Sequence, residues 1–321
     1  MKVLMITTEW PTVQNPHRVP FLVDQVAWLK SNGCSVDVFH FEGRKNPFNY
    51  LRAIFKVRKL LCQNSYNLIH AQWGQSAVPV WGVKLPLIIT YRGSDLQGIA
   101  NRKGHYTFKG KILQLLSRIM AYQASRIIVV SDNLKSKLPT SILHKVKVIP
   151  TGLDFSLFKP LDREVCRKEL GLRAGVDYVL FGGDPARTVK RFFLAQQAIA
   201  LLPGNLKVEL LVVKNVDRVR MPLYFGACRV LLLTSLHEGS PNVVKEALAC
   251  NRPVVSVDVG DVRERVTGIA GCAVAGATPQ ALADALVSAL LVKEIDSRNV
   301  VQDLDEDKLN NELLIMYRRL I

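Results

Sequence analysis

A chain of 321 residues is long for one domain and sufficient for two, each with its own core. Apolar residues make up 49% and charged residues 22%, which excludes a disordered chain, and no apolar run nears the ~18 residues that a spanning helix needs. The net charge of +16 is unevenly held: residues 1–160 carry 22 Lys+Arg against 7 Asp+Glu, and the remainder carries 21 against 20. One half is therefore suited to an anionic surface or substrate and the other is not. Six scattered cysteines without C-x-x-C spacing read as small buried thiols in a reducing compartment.

The first segment, "MKVLMITTEW", has an apolar run too short for a signal-peptide core and reads as a strand, so a cytoplasmic location is expected. Further strands are predicted at 35–41, 67–72, 85–91, 126–131 and 146–152, each apolar on both faces as parallel strands under helices are. Between them, "RKNPFNYLRAIFKVRKLLCQ" (44–63) predicts an amphipathic helix with Leu51, Ile54, Phe55, Leu61 and Cys62 on one side and Arg52, Lys56 and Lys59 on another. With "NRKGHYTFKGK" (101–111) it forms the densest cationic region, a candidate contact for an anionic membrane or a lipid-diphosphate acceptor. "GHYTFKGK" mimics a P-loop, but its glycine spacing is wrong and Ile112 stands where Ser or Thr belongs.

Pro150, Gly152 and Pro160 punctuate a boundary, after which strands recur at 178–183, 207–213, 229–235, 253–259 and 271–276. Two successive α/β series predict two doubly wound domains, 1–155 and 156–302, with ligands at the carboxyl ends of the strands. Residues 303–321, with leucines at 309, 313 and 320, predict a terminal helix able to pack back on the first domain. The acids of "DLDED" (303–307) open that helix, where they favour its dipole, and no metal site is expected.

The densest signal is "LHEGSPNVVKEALACNRPVVSVDVGD" (236–261). Ser240 is the expected N-cap and Pro241 the first helical residue. Val243, Val244, Ala247 and Leu248 share a face, Lys245 points away and Glu246 borders that face. The amides of 239–243 and the helix N-terminus make a pole suited to phosphate. Glu238 and Glu246, separated by on the order of 10 Å of mostly helical chain, can each accept paired hydrogen bonds from sugar hydroxyls. The arrangement fits a nucleoside diphosphate sugar, with a carboxylate at each end and the diphosphate between.

This stretch resembles the donor-site signature of the retaining glycosyltransferases of family 4, which have the GT-B fold. Weaker similarity runs along "MKVLMITTEWP", "IHAQWG", "ITYRGSDL", "ASRIIVVSDNLKSKL" and "VIPTGLDFSLFKP". The resemblance implies two Rossmann-like domains facing across a cleft, acceptor on the first and donor on the second. It implies that Glu238 contacts the transferred sugar, that Glu246 binds the ribose, and that Gly239, Ser240, Pro241, Asn242 and Val243 line the sugar or phosphates. It also implies an Arg and a Lys after the first strand of the second domain as a diphosphate clamp, which points to Arg187 and Lys190, at a tighter spacing than usual. Two departures add cationic character: "TYRG" places Arg92 where the family has a histidine, and "TVQNPHRVPF" replaces a Gly-Gly loop with His17 and Arg18. His70 and Asp95 complete the acceptor or cleft candidates, His70 reading equally well as a satisfied structural residue.

The expected activity is transfer of a sugar, with retention, to a glycan or lipid-linked acceptor in cell-surface polysaccharide synthesis. The expected location extends to the inner face of the membrane, and no cofactor or metal is called for. Two alternatives remain open on the residues alone. A nucleotide-sugar epimerase needs acids that the first domain lacks, and a nucleic-acid-binding protein leaves Glu238 and Glu246 unexplained.

Overall fold

A computed structural model describes residues 1–43, 46, 48–99, 101 and 106–321. The described residues form two compact units: residues 1–100, 106–152 and 307–321 make the first, and Leu153–Glu306 with Asn101 makes the second. Arg44, Lys45, Arg102 and Lys103 of the cationic region, and the first two residues of "GHYTFKGK", lie outside the described residues.

In the first unit six parallel strands, β1 (Lys2–Thr7), β2 (Ser35–His40), β3 (Leu68–Gln72), β4 (Leu87–Tyr91), β5 (Arg126–Val129) and β6 (Val146–Val148), stack in the order β2-β1-β3-β4-β5-β6. Their apolar character on both faces is explained by the cover they receive. Leu4, Ile6, Ile69, Ala71, Leu87, Ile89, Ile127 and Val129 pack in one cluster with helix α2 (Phe48–Gln63), the 3-10 segment Gly74–Val80 and helix α4 (Phe108–Gln123). Helix α1 (Pro20–Ser31) connects β1 to β2, and the short turns α3 (Ser94–Gln97) and α5 (Asp132–Lys135) follow β4 and β5.

Helix α2 turns a different side inward from the one its sequence pattern predicts. Ala53 and Val57 are buried with Tyr50, Leu60 and Leu61 partly so, whereas Leu51, Phe55 and Cys62 are exposed beside Arg52, Lys56 and Lys59. Ala53 and Val57 face in where the helix packs against the 3-10 segment, with Tyr50, Leu60 and Leu61 beside them, and Leu51 and Phe55 are left in solvent. Cys62 is accordingly not a buried thiol.

The second unit has five parallel strands in the order β11-β10-β9-β7-β8: β7 (Asp177–Gly182), β8 (Val208–Val213), β9 (Val230–Leu233), β10 (Val254–Val257) and β11 (Ala273–Ala275). Helices α6 (Arg163–Glu169), α7 (Phe192–Ala200), α8 (Met221–Ala227), α9 (Asn242–Ala249), α10 (Val262–Val266) and α11 (Pro279–Leu291) connect them. In both sheets the first strand lies between the second and the third, so the strand order reverses between β1 and β3 and again between β7 and β9. Such reversals leave a crevice at the carboxyl ends of the strands where ligands bind in this class of sheet.

Helix α12 (Glu306–Arg318) begins three residues later than predicted, because residues 298–304 wind as a 3-10 segment. The acids at its start have specific partners: Asp303 takes Arg265, and Asp307 accepts the Trp28 indole at 2.6 Å. From Asp307 the helix belongs to the first unit, where Asn310 accepts from Gln25 at 3.1 Å and Glu312 pairs with Lys147 at 2.9 Å. Among the described residues no helix is long and apolar enough to cross a membrane.

Candidate active site

At the strand-order reversal of the second unit, the loops after β7 and β9 are tied together. The loop 183–191 ends in a 3-10 turn, Thr188–Lys190, followed by Arg191 in a left-handed conformation (φ 48°). This conformation, uncommon for a residue with a Cβ, accompanies a guanidinium that donates to the carbonyls of Thr234 at 2.6 Å and Ser235 at 3.0 Å. The Thr234 hydroxyl donates back to the Lys190 carbonyl at 2.7 Å, and the Leu236 amide donates to Val189 at 2.7 Å. Two loops that would otherwise move independently thereby hold a single geometry.

On this frame the Lys190 ammonium donates to the Glu238 carboxylate at 2.7 Å, both side chains being largely buried. The Lys190 stem runs over Gly183, whose missing side chain clears its path: a Cβ there would lie 3.3 Å from the lysine. Burial alone would raise the Glu238 pKa, but the charge and hydrogen bond of Lys190, the Ser235 hydroxyl and the charge of Arg187 outweigh it and hold the carboxyl below its ordinary value. Glu238 is thus a largely buried anion at neutral pH. Glu246, within α9, is shifted the other way: burial raises it, and Arg218 and Lys245 only partly compensate. Arg187 is exposed on the same loop as Lys190.

The turn between the two glutamates departs from expectation at two places. Ser240 is not the N-cap; Pro241 holds that position without a side-chain bond, and the Ser240 hydroxyl donates to Asp261 at 2.7 Å. The cause is the loop after β10. Gly260 sits at φ +59° and so close that a Cβ would meet the Gly239 carbonyl at 2.9 Å, which brings Asp261 under the turn. Lys245 does not point away either: it is 1% exposed. It lies three and four positions before Leu248 and Ala249, both buried, so this side of the helix is covered as well. Val243 faces β7, with its Cγ2 where a Cβ on Gly182 would stand (2.6 Å), so glycine at 182 admits the first turn of α9. Pro241 and Gly239 are buried, while Asn242 and Val243 are half-buried.

A surface cavity of about 560 Å³ lies beside this loop, lined by Arg187, Thr188, Arg191, Phe192 and Phe193 among others; neither glutamate lines it. Arg191 and Asp261 escaped the sequence reading. Asp261 had a signal, since it follows a predicted strand and a glycine; Arg191 had none beyond standing next to Lys190.

The first-unit candidates are held differently. His70 is 1% exposed, its Nδ1 2.5 Å from the Tyr317 hydroxyl and its Nε2 2.7 Å from the Thr90 hydroxyl. Burial, then the charge of Arg92, pushes its pKa down to about 3. Arg92 donates to the Gln72 side-chain oxygen at 2.9 and 3.1 Å and to Thr151 at 3.1 Å, and stacks 4.6 Å from the Phe21 ring centroid. Asp95 is fully buried and accepts from the amides of Gly74 (3.2 Å), Gly93 (2.9 Å) and Arg92 (3.3 Å). These three residues form one connected region. Arg18 pairs with Glu9 at 3.7 Å, and His17 is exposed.

Comparison with known proteins agrees with this architecture. Residues 2–157 match the family described as Glycosyltransferase Family 4, and residues 166–291 match Glycosyl transferases group 1. TuaC of Bacillus subtilis (strain 168), named as a teichuronic acid biosynthesis glycosyltransferase, is 28% identical over 326 aligned residues, covering 82% of each chain. A D-inositol 3-phosphate glycosyltransferase of Mycolicibacterium paratuberculosis is 30% identical, covering 52% of this chain and 45% of that protein. Among solved structures, sucrose-phosphate synthase from Thermosynechococcus elongatus superposes with a TM-score of 0.81 at 18% identity, covering 99% of this chain and 98% of that one. HepE of Anabaena, in complex with UDP and glucose, superposes at 0.71 and 17% identity, covering 99% and 100%. The two family matches together span most of the sequence, and the chain belongs to glycosyltransferase family 4, with the GT-B fold.

Proposed function

We propose that the protein transfers a sugar, with retention, from a nucleoside diphosphate donor bound by residues 156–302 to a glycan or lipid-linked acceptor bound by residues 1–155. The carrying observation is the Glu238 carboxylate, buried yet kept ionised by Lys190, at the strand-order reversal of the second unit. A carboxylate largely withdrawn from water in this way binds hydroxyls more strongly than an exposed one, because the local dielectric is lower. Support for a nucleotide sugar comes from HepE, crystallised with UDP and glucose, and for a surface glycan from the name of TuaC.

In the proposed reaction the bond between the anomeric carbon and the β-phosphate oxygen breaks as the acceptor oxygen bonds to that carbon on the same face. The acceptor proton passes to a leaving phosphate oxygen, releasing a nucleoside diphosphate. Lys190 has three donors; one holds Glu238, and the others, with Arg187, meet the charge that develops on the diphosphate. Glu238 orients the hydroxyls of the transferred sugar, and Glu246 accepts from the ribose. The amides of Gly239, Ser240 and Asn242, with the α9 N-terminus, face the phosphates. No covalent enzyme intermediate, metal or resident cofactor is invoked.

The test is incubation with a panel of nucleotide sugars, with and without a membrane lipid extract. Acceptor-dependent nucleotide release, weakened by Glu246→Ala, is the expected result. Conversion of the nucleotide sugar without acceptor would replace the proposal with epimerisation. Retention on nucleic acid that is steep in salt and indifferent to Glu246→Ala would replace it with a binding role.

A further inference from the structure

Four arginines converge at the amino end of the second sheet, opposite the end that carries Lys190 and Glu238. Arg163 and Arg167 lie on α6, Arg229 immediately precedes β9, and Arg252 stands two residues before β10. Strands β10, β9 and β7 are parallel neighbours, so their starting residues lie side by side. Asp177, the first residue of β7, joins two of the four: one of its oxygens is 3.4 Å from Arg167 and 3.7 Å from Arg229. Arg167 also reaches Glu164 at 3.3 Å and donates to the Ala227 carbonyl at 3.2 Å. Arg229 donates to the carbonyls of Leu290 at 2.6 Å and Val292 at 3.3 Å. Arg252 donates to the Leu161 carbonyl at 3.3 Å and meets no carboxylate. The Arg163 side chain has no hydrogen-bond or ion-pair partner among the described residues. The Nε atoms of Arg163, Arg229 and Arg252 are all buried without a hydrogen bond.

The cations press on one another. Burial, followed by the charges of Arg229, Arg252 and Arg167, lowers the Arg163 pKa, and Asp177 offsets this only in part. The buried Cys228 thiol feels Arg252, Arg163 and Arg167 together, which places all three around the residue next to Arg229. The nearby acids are otherwise engaged or remote: Asp162 accepts from the Val165 amide at 2.9 Å as the cap of α6, and Glu169 is exposed. Like charges drawn together out of water are unfavourable unless an anion answers them, and the protein supplies carboxylates to only two of the four. Guanidinium donors match the oxygens of a phosphate in pairs. The side chains of Arg167 and Arg229 are only 8% and 14% exposed, so a compact ion fits this place better than an extended polyanion. Six residues of β7, about 17 Å of strand, separate it from the loop that bears Lys190.

We propose that Arg163, Arg229 and Arg252, with Arg167 behind them, form a binding site for a small soluble phosphate-class oxyanion at the amino end of the second sheet. Such an ion would tie α6 to the segments that enter β9 and β10. The site is separate from sugar transfer and is tested without a nucleotide sugar. The full chain is melted in chloride and in inorganic phosphate at equal ionic strength, and phosphate binding is measured by calorimetry. A rise of roughly 2–4 °C is expected at phosphate about tenfold above its dissociation constant. Arg163→Gln and Arg252→Gln should each weaken phosphate binding on the order of 10-fold or more. Without phosphate, Arg163→Gln should melt no lower than the parent, since it removes an unpartnered cation from among like charges. Arg187→Ala with Lys190→Ala should leave the phosphate response intact. A response equal in parent and Arg163→Gln, or one abolished by Arg187→Ala with Lys190→Ala, overturns the proposal. So does Arg163→Gln melting well below the parent in chloride, or binding to vesicles of phosphatidic acid without any to the free ion.

Discussion

The two units share a sheet topology and differ in what fills the point where strand order reverses. In the first, the carboxyl ends of β3 and β4 are occupied by the protein's own groups: His70 between two hydroxyls, Arg92 on Gln72 and Thr151, Asp95 on three amides. In the second, the corresponding ends carry Lys190 on Glu238, with Arg187 exposed beside them and a helix of eight residues starting after the turn. One network ties its charged groups to partners within the unit; the other presents charges and a helix terminus. The same framework thus carries an internally bonded cluster in one unit and an ion pair beside an exposed cation in the other, and the difference lies in side chains that follow equivalent strands.

Substitutions can separate the two. The largest effect expected is on folding, from Asp95→Ala, which strands two buried amides and one partly buried amide and should cost about 3–5 kcal/mol in chemical denaturation. Acid should act on the same unit through His70. Its folded pKa of about 3 lies below its unfolded value of 6.5, so its contribution is present above pH 6.5 and is lost as pH falls from there toward 3. The loss is roughly 3–5 kcal/mol, and His70→Gln should flatten that window of the stability profile.

In the second unit the effect should fall on activity. Lys190→Ala should reduce turnover on the order of 10²-fold and let Glu238 protonate at higher pH, moving the acid limb of the rate profile upward. A rate profile unchanged by Lys190→Ala would remove the contrast between the units. Glu246→Ala should weaken nucleotide binding about 10-fold or more by calorimetry. Because burial raises the Glu246 pKa, nucleotide affinity should fall, on acidification, at a pH above the ordinary glutamate range, and Glu246→Gln should melt no lower than the parent. The smallest effect expected is from Ser240→Ala, about 1 kcal/mol for the bond to Asp261.

The strands were readable to within one to four residues at their ends because covered parallel strands need unbroken apolar runs. Glu238 and Glu246 stood out because a strand, a Gly-Ser-Pro turn and a helix followed in order. Other features had no local trace. Helix α2 contains two apolar stripes, and only the 3-10 segment against it selects Ala53 and Val57 over Leu51 and Phe55. Ser240 looked like a cap because capping is a local rule; a distant glycine, Gly260, brings in the carboxylate that takes its hydroxyl. Lys245 reads as solvent-facing, yet it is buried because its side of α9 is covered too.

Local sequence sufficed for the number of sheets, the parallel strands and the loop that bears Glu238, since hydrophobic period and turn chemistry act over a few residues. Tertiary structure alone chose the partners: Lys190 for Glu238 across 48 residues, Tyr317 for His70 across 247, and the helix faces left in solvent. A buried charge or hydroxyl takes whichever complementary group the packed fold brings within about 3 Å, and chain order carries no record of that distance.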